Sequence, residues 1–259
     1  MSWDMKLFDA IRQIPDKIGQ HYLKKKIGKS WGDHQQNKIG ERLYKDYSDY
    51  IQHQQAKLKF KTICPVDLED YDQKYRTALA QRLRQFGGIR GGESVLCLGA
   101  RLGSEVKAFL DLRCFAVGVD LNPGKANLYV LPGDFHHLQF ADASLDIAFS
   151  NSVDHVYKID DFVEEVARVL KPGGLFIIEV GKGKSEGGSS GFYETLKWDS
   201  IDDLLSLIGR HGFKCLGREP IVFPFPGEQI FLKLEKRKSG RGEFSMTEAG
   251  TADIERSGR

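Results

Sequence analysis

The chain has 259 residues, of which 41% are hydrophobic and 29% charged, and its formal net charge is +2. These proportions are those of an ordinary folded protein, and a charge so close to neutral gives no reason to expect a nucleic-acid or membrane partner. The apolar runs are also far shorter than the roughly 20 residues of a membrane span. We therefore expect a cytoplasmic protein.

Residues 1–60 are rich in Lys and Gln and carry apolar residues at helical spacing. This spacing predicts helices rather than strands. The segment 71–86 has the same character and is followed by two glycines, the residue type that closes helices in the left-handed conformation. We therefore predict an N-terminal helical extension over residues 1–90.

The pattern changes after residue 93, where short apolar runs alternate with helix-like segments. The runs SVLCLG, FAVGVD, LDIAFS and LFIIEV predict βαβ units with a buried parallel sheet. Two later runs, FKCLGREPIVF and EQIFLKLEK, are joined by a short Pro-Gly connection, which predicts an antiparallel last strand. The prediction is a doubly wound α/β domain over residues 91–236. A disordered tail is predicted over residues 237–259, because little there can be buried.

The first of these strands runs through a glycine-containing turn into a helix, in VLCLGARLGSEV. Gly99 and Gly103 let the backbone approach a ligand closely there. Asp120 ends the next strand about twenty residues later, where a carboxylate can accept both hydroxyls of an adenosine ribose. This spacing also suits NAD, but Arg101 occupies the middle glycine position of the dinucleotide turn. The turn therefore argues against an NAD-dependent oxidoreductase.

Residues 133–156 and 159–180 carry the most specific signal, in GDFHHLQFADASLDIAFSNSVDHV and IDDFVEEVARVLKPGGLFIIEV. In order and spacing these elements resemble the type 11 subgroup of the class I S-adenosylmethionine-dependent methyltransferases. The resemblance is close over residues 93–180 and looser to about residue 234. It implies a Rossmann-like sheet of seven strands, S-adenosylmethionine as cofactor, and methyl transfer to a small or medium-sized acceptor oxygen, nitrogen or carbon.

The resemblance also implies a set of donor-binding residues. The turn lies along the methionine part of the donor, and Asp120 takes the ribose hydroxyls. Leu121 flanks the adenine, Asp134 accepts a hydrogen bond from its amino group, and Phe135 offers the ring a backbone amide. Asn151 faces the methionyl moiety. The full candidate set is Gly99, Ala100, Arg101, Gly103, Asp120, Leu121, Asp134, Phe135 and Asn151.

Two residues depart from the family pattern. Cys97 stands where relatives usually carry Asp or Glu, and Arg101 where they usually carry glycine. The carboxylate that helps to orient the donor's ammonium end is therefore absent. Arg101 either pairs with the donor's carboxylate, or it points to solvent or pairs with Glu105. A second hypothesis follows, in which the chain is a catalytically degenerate donor-binding scaffold or an interaction protein.

His155 is the candidate general base, because its ordinary pKa suits proton transfer near neutral pH; a structural role is the alternative. The Gly- and Ser-rich segment 181–198 is either a lid over a bound substrate or a surface connection. Within it, Tyr193 and Trp198 are candidates for acceptor contact. The expected partner is a small-molecule acceptor rather than a nucleic acid. The acceptor's identity and the oligomeric state do not follow from the sequence.

No metal site is predicted. The four cysteines are scattered, without a C-x-x-C pair or a histidine at ligand spacing, so free buried thiols are expected. His136 and His137 are adjacent and would point apart on an extended chain.

Overall fold

The computed structural model describes residues 31–34, 38–59, 68–124 and 126–235. The predicted tail, residues 237–259, lies outside this part of the chain. None of the described helices combines the length and the apolar character needed to cross a membrane. The described helices are α1 (Tyr47–Lys59), α2 (Leu68–Phe86), α3 (Ser104–Leu110), α4 (Ile159–Val169) and α5 (Ile201–Arg210). The strands are β1 (Trp31–His34), β2 (Ile39–Arg42), β3 (Ser94–Leu98), β4 (Phe115–Asp120), β5 (Val130–Pro132), β6 (Leu145–Ser150), β7 (Leu170–Gly181), β8 (Leu196–Trp198), β9 (Phe213–Ile221) and β10 (Gly227–Leu234).

Seven strands form the main sheet, in the order β5-β4-β3-β6-β7-β10-β9. Neighbouring strands from β5 to β7 are parallel, and β10 runs antiparallel to both β7 and β9. The predicted α/β fold, a seven-stranded, mostly parallel, Rossmann-like sheet with an antiparallel last strand, is confirmed. The strand β3 lies between β4 and β6. From β3 the chain first adds β4 and β5 on one side and then adds β6 and β7 on the other, so the strand order reverses at β3.

Helices cover both faces of this sheet. The helix α4 buries Ile159, Phe162, Val163 and Val166, which recur at the spacing of one helix face, and α5 packs beside it in the same core. On the other face, apolar residues of α2 and α3 pack against the sheet in a second core. The helix α2 ends at Phe86, and Gly87 follows with φ +70°. The prediction that two glycines close this helix in the left-handed conformation is therefore confirmed for Gly87.

The prediction of helices rather than strands in the first 60 residues is wrong over residues 31–34 and 39–42. There β1 and β2 form an antiparallel pair, and β8 adds to β2 to complete a three-stranded sheet. Ile39 pairs with Trp198, a partner far along the chain. The spacing of apolar residues within a short segment carries no information about a strand partner so far along the chain, so the sequence pattern could not predict this sheet. Residues 47–59 are helical, and residues 1–30 lie outside the described part of the chain.

The expectation of buried thiols holds for two cysteines and fails for a third. Cys97 and Cys114 are buried and free, whereas Cys215 is free but exposed. Cys215 lies on β9, an edge strand of the main sheet, and most residues of this strand are exposed to solvent. Cys64 lies outside the described residues.

Candidate active site

A cavity of about 430 Å³ opens at the carboxyl ends of β3, β4 and β6. This is the point where strand order reverses around β3, and ligands of doubly wound sheets bind at such points. The structure brings seven of the predicted site residues into its lining: Gly99, Arg101, Asp120, Leu121, Phe135, Asn151 and His155.

The turn after β3 requires glycine at Gly99. Its φ is +72°, which residues with a side chain rarely adopt. A Cβ there would lie 2.9 Å from the Cβ of Ser152, so any larger residue would clash with Ser152. The Gly99 amide donates to the carbonyl of Val119 at 2.8 Å, which fixes the turn against β4. Ala100 is buried, and Gly103 lies against Tyr129. These two residues shape the turn but do not line the cavity.

Asp120 is held by two backbone amides at the end of β4. Its Oδ2 accepts from the amide of Arg101 at 3.1 Å, and its Oδ1 accepts from the amide of Asn122 at 2.7 Å. The carboxylate is therefore oriented before any ligand contacts it. Arg101 lines the cavity, and among the described residues its guanidinium forms no ion pair. The pairing of Arg101 with Glu105, one of the alternatives considered above, is not observed.

Asp134 lies beside the cavity rather than in its lining. Its Oδ1 accepts from the amide and from Nδ1 of His136, both at 2.9 Å, and its Oδ2 accepts from the Tyr47 hydroxyl. Burial opposes ionisation of this carboxyl, but the hydrogen bonds from His136 and Tyr47 outweigh it and lower the pKa of Asp134 to about 2. Sequence reasoning missed Tyr47, because it lies on a distant helix and no motif marks it.

Glu105 is the main lining residue that sequence reasoning did not assign to the site. It lies in the first turn of α3, is buried, and lines the cavity. Its Oε1 accepts from Nδ2 of Asn151 at 2.9 Å. Burial raises the pKa of Glu105 to about 7, against the hydrogen bonds from its own amide and from Asn151. The sequence spacing could have indicated this position, because Glu105 precedes Phe109 by four residues and therefore lies on the same apolar face of α3.

Asn151 also connects the cavity to a buried polar chain. Its Nδ2 donates to the Tyr75 hydroxyl at 2.9 Å, and that hydroxyl donates to Oε2 of Glu179 at 2.6 Å. Arg82 forms an ion pair with Glu179. Buried networks of this kind fix side-chain orientation when their members are satisfied. Asn151 is thus oriented from both sides, by Glu105 and by Tyr75.

His155 lies in a short 3₁₀ turn after β6 and lines the cavity. Its Nδ1 lies 3.0 Å from the carbonyl oxygen of Tyr193. A carbonyl oxygen only accepts, so Nδ1 carries the proton of the neutral ring. This leaves Nε2, which lies 3.7 Å from Oδ2 of Asp154, as the basic nitrogen.

A second cavity, of about 1180 Å³, adjoins the first and shares Asn151, Asp154, Glu194 and Phe225 with it. Residues 187–190 and Trp198 line it. The ring of Tyr193 instead packs against those of His53 and Phe192. Within the described part of the chain, no cluster of three His, Cys, Asp or Glu side chains is arranged to hold a metal ion.

Residues 96–178 match a family model described as a methyltransferase domain. Ribosomal RNA large subunit methyltransferase E of Archaeoglobus fulgidus is 33% identical over 138 residues, which cover 45% of this chain and 71% of that protein. The chain belongs to the class I S-adenosylmethionine-dependent methyltransferases. Sterol 24-C-methyltransferase erg6 of Schizosaccharomyces pombe is 28% identical over 141 residues, 48% of this chain but only 32% of its own length.

Solved structures show the same fold. A Burkholderia thailandensis 1,6-didemethyltoxoflavin-N1-methyltransferase with bound S-adenosylhomocysteine matches with a TM-score of 0.59 at 16% identity, over 76% of this chain and 95% of that one. A SAM-dependent methyltransferase from Aquifex aeolicus matches with a TM-score of 0.50 at 15% identity, over 63% and 98% of the two chains. Because the chain belongs to this family, it uses S-adenosylmethionine as its cofactor, and the NAD-dependent alternative does not hold.

Proposed function

We propose that this methyltransferase holds S-adenosylmethionine in the 430 Å³ cavity and transfers its methyl group to a small or medium-sized acceptor. The cavity volume lies within the range of roughly 300 to 1,000 Å³ that is usual for ligand pockets. The turn from Gly99 to Gly103, in which Ala100 is buried, lies along the methionine moiety. Asp120, already oriented by two amides, takes the ribose hydroxyls.

The adenine lies between Leu121 and Phe135, which both line the cavity. Asp134, next to Phe135 in the chain, accepts a hydrogen bond from the adenine amino group. An ionised carboxylate has about four acceptor directions, so its bonds to Tyr47 and His136 leave capacity for another donor. The hydroxyl of Tyr47 orients Asp134 in this role.

The acceptor binds in the second cavity, and this proposal rests on the adjacency of the two cavities. Asn151 and Asp154 line both, so a molecule in the larger cavity lies next to the methionyl end of the smaller one. Lys38, Lys182, Lys184 and Lys197 line the second cavity, and so do four carboxylates: Asp154, Glu179, Glu194 and Asp199. The formal charges cancel. Such a lining favours a compact polar acceptor over a polyanion, because nucleic-acid sites carry an excess of positive charge.

When bound, S-adenosylmethionine supplies an electrophilic methyl group on its sulfonium. The protein contributes alignment of the acceptor and exclusion of water. His155 accepts the proton of an acceptor that arrives protonated, through Nε2, while the carbonyl of Tyr193 fixes the ring through Nδ1. We also propose a cytoplasmic location, which the composition favours.

The test offers methyl-labelled S-adenosylmethionine with either the small-molecule or the RNA fraction of one cell extract. We expect label in small molecules and none in RNA, and an Asp120→Ala variant should lose the transfer. Label in RNA would overturn the proposed acceptor class. Label in neither fraction, from a chain that binds S-adenosylhomocysteine, would instead favour the catalytically degenerate scaffold.

A further inference from the structure

Glu105 is a buried carboxylate at the wall of the donor cavity. It is only 7% exposed, yet it lines the cavity together with Arg101 and Asn151. Its Oε1 accepts one hydrogen bond, from Asn151. Among the described residues, no lysine, arginine or histidine forms an ion pair with it. A buried charge is costly unless it is paired, so the site favours a cation that a ligand brings.

The groups around Glu105 make this requirement stronger. Burial raises the pKa of Glu105, and the carboxylates of Glu179 and Asp120 act in the same direction. Arg82 pairs with Glu179 and not with Glu105. Arg101 stands at the same cavity without an ion pair in the described residues, so the Glu105 carboxyl and the Arg101 guanidinium line one cavity and neither has an ion-pair partner there.

The position of Glu105 relative to Cys97 completes the geometry. Cys97 lies in the buried part of β3, and burial together with the charge of Glu105 raises the pKa of its thiol. The Glu105 carboxylate lies at the carboxyl ends of β3 and β6, where its Oε1 accepts from Nδ2 of Asn151 at 2.9 Å. It reaches this place from the first turn of α3, on the far side of the glycine turn.

We propose that Glu105 is the binding residue for the ammonium group of the donor's methionine moiety, with Arg101 on the carboxylate of the same moiety. The inference rests on the proposed donor cavity. An amino-acid end group carries one positive and one negative charge, and it matches the unpaired carboxylate and guanidinium. The neutral thiol at Cys97 is then no defect, because the carboxylate comes from the next helix.

The test measures binding of three ligands by calorimetry: S-adenosylhomocysteine, its analogue without the amino group, and methylthioadenosine, which lacks the whole amino-acid end. Glu105→Gln should weaken S-adenosylhomocysteine by roughly ten- to a hundredfold, the range of a charge-assisted contact. It should leave the affinities of the deaminated analogue and of methylthioadenosine within about threefold of wild type, since neither offers an ammonium group.

Glu93→Gln is the matched control. Glu93 precedes β3 at the opposite end of the sheet and bonds to the amides of Arg90 and Gly91, so its loss should not change discrimination among the three ligands. If Glu105→Gln does not fold, Glu105→Asp replaces it, and a shortened carboxylate should weaken S-adenosylhomocysteine alone. Far-ultraviolet circular dichroism and the melting temperature establish folding.

The outcomes separate this inference from the proposed function. A wild-type chain that does not bind S-adenosylhomocysteine would overturn the donor cavity itself. Normal wild-type binding, with equal losses for all three ligands in Glu105→Gln or with no loss for any, would overturn the role of Glu105 alone.

Discussion

Two regions of the molecule meet at Asn151 and Asp154 and are built in different ways. The donor region comprises the strand ends and turns between residues 94 and 151, and its first turn is fixed by backbone groups at short range, where the amides of Arg101 and Asn122 hold Asp120. The acceptor region comprises the N-terminal sheet, α1 and residues 182–198. It is fixed mainly by side chains from segments far apart in the chain. Tyr47 of α1 also contacts Asp134 of the donor region, but Arg42 contacts the acceptor region, so we expect a change at Arg42 to leave the turn around Asp120 intact.

Arg42 shows how the acceptor region is assembled. It is buried at the end of β2, and its guanidinium donates to the carbonyls of Glu194 and Phe192 at 3.0 and 3.1 Å. The same group lies 4.6 Å from the ring centre of Trp31, a cation–π contact. One side chain thus connects the N-terminal sheet to the segment beside the second cavity.

The largest expected effect comes from Arg42→Ala. It removes the donor for the partly buried carbonyls of Phe192 and Glu194 together with the contact of Arg42 with Trp31, so we expect the free energy of unfolding to fall by about 3 kcal/mol. The rate of methyl transfer should also fall, because Arg42 holds the segment beside the proposed acceptor cavity. The affinity for S-adenosylhomocysteine should stay within about threefold of wild type. Denaturant unfolding and calorimetry measure the two quantities. Arg42→Lys keeps the charge but not the planar fork, and it should recover only part of the stability. A loss of donor affinity equal to the loss of stability would contradict the separation of the two regions.

The donor region was the more predictable of the two. Gly99 and Asp120 could be placed because the turn and the strand end are defined within one βαβ unit, where neighbours in sequence are neighbours in space. Arg42 could not, because its partners at residues 192–194 are set by the folded chain and no local pattern records them. Tyr50, whose hydroxyl donates to the His155 carbonyl at 3.0 Å, escaped prediction for the same reason.

Within the donor region the exception was Glu105, a charged residue at a position that the helix pattern assigns to the core. Local patterning rules often fail at functional sites, which agrees with the binding role proposed above for Glu105. Its burial leads to the second prediction. The folded-state pKa of about 7 lies above the ordinary value of 4.5, so the protonated carboxyl stabilises the fold. That contribution is full below about pH 4.5 and is lost as the pH rises through 7.

Glu105→Gln carries no charge at any pH. Without ligand, it should therefore be more stable than wild type at pH 8, on the order of 2–3 kcal/mol, and by less than about 1 kcal/mol at pH 5. Denaturant unfolding at both pH values measures the difference. Saturating S-adenosylhomocysteine should narrow the gap at pH 8, because the ligand stabilises the charged wild type more. A gap that does not depend on pH would show that Glu105 does not titrate in this range.

The third and smallest effect concerns Arg101. If its guanidinium holds the donor's carboxylate, Arg101→Ala should weaken S-adenosylhomocysteine and its deaminated analogue alike, by roughly tenfold. Methylthioadenosine, which has no carboxylate, should bind unchanged. This pattern differs from that of Glu105→Gln, which spares the deaminated analogue. Equal losses for all three ligands would point to general disruption of the turn after β3.

The central claim is that the cavity at the ends of β3, β4 and β6 is an S-adenosylmethionine site held by Asp120, and calorimetric titration of the wild-type chain and Asp120→Ala tests it most directly. We predict that the wild type binds one S-adenosylhomocysteine per chain and does not bind NAD. Asp120→Ala should bind at least about tenfold more weakly with its fold intact, because a pair of charge-assisted hydrogen bonds to the ribose is lost. Binding of NAD in place of S-adenosylhomocysteine, or an affinity that Asp120→Ala leaves unchanged, would contradict the claim.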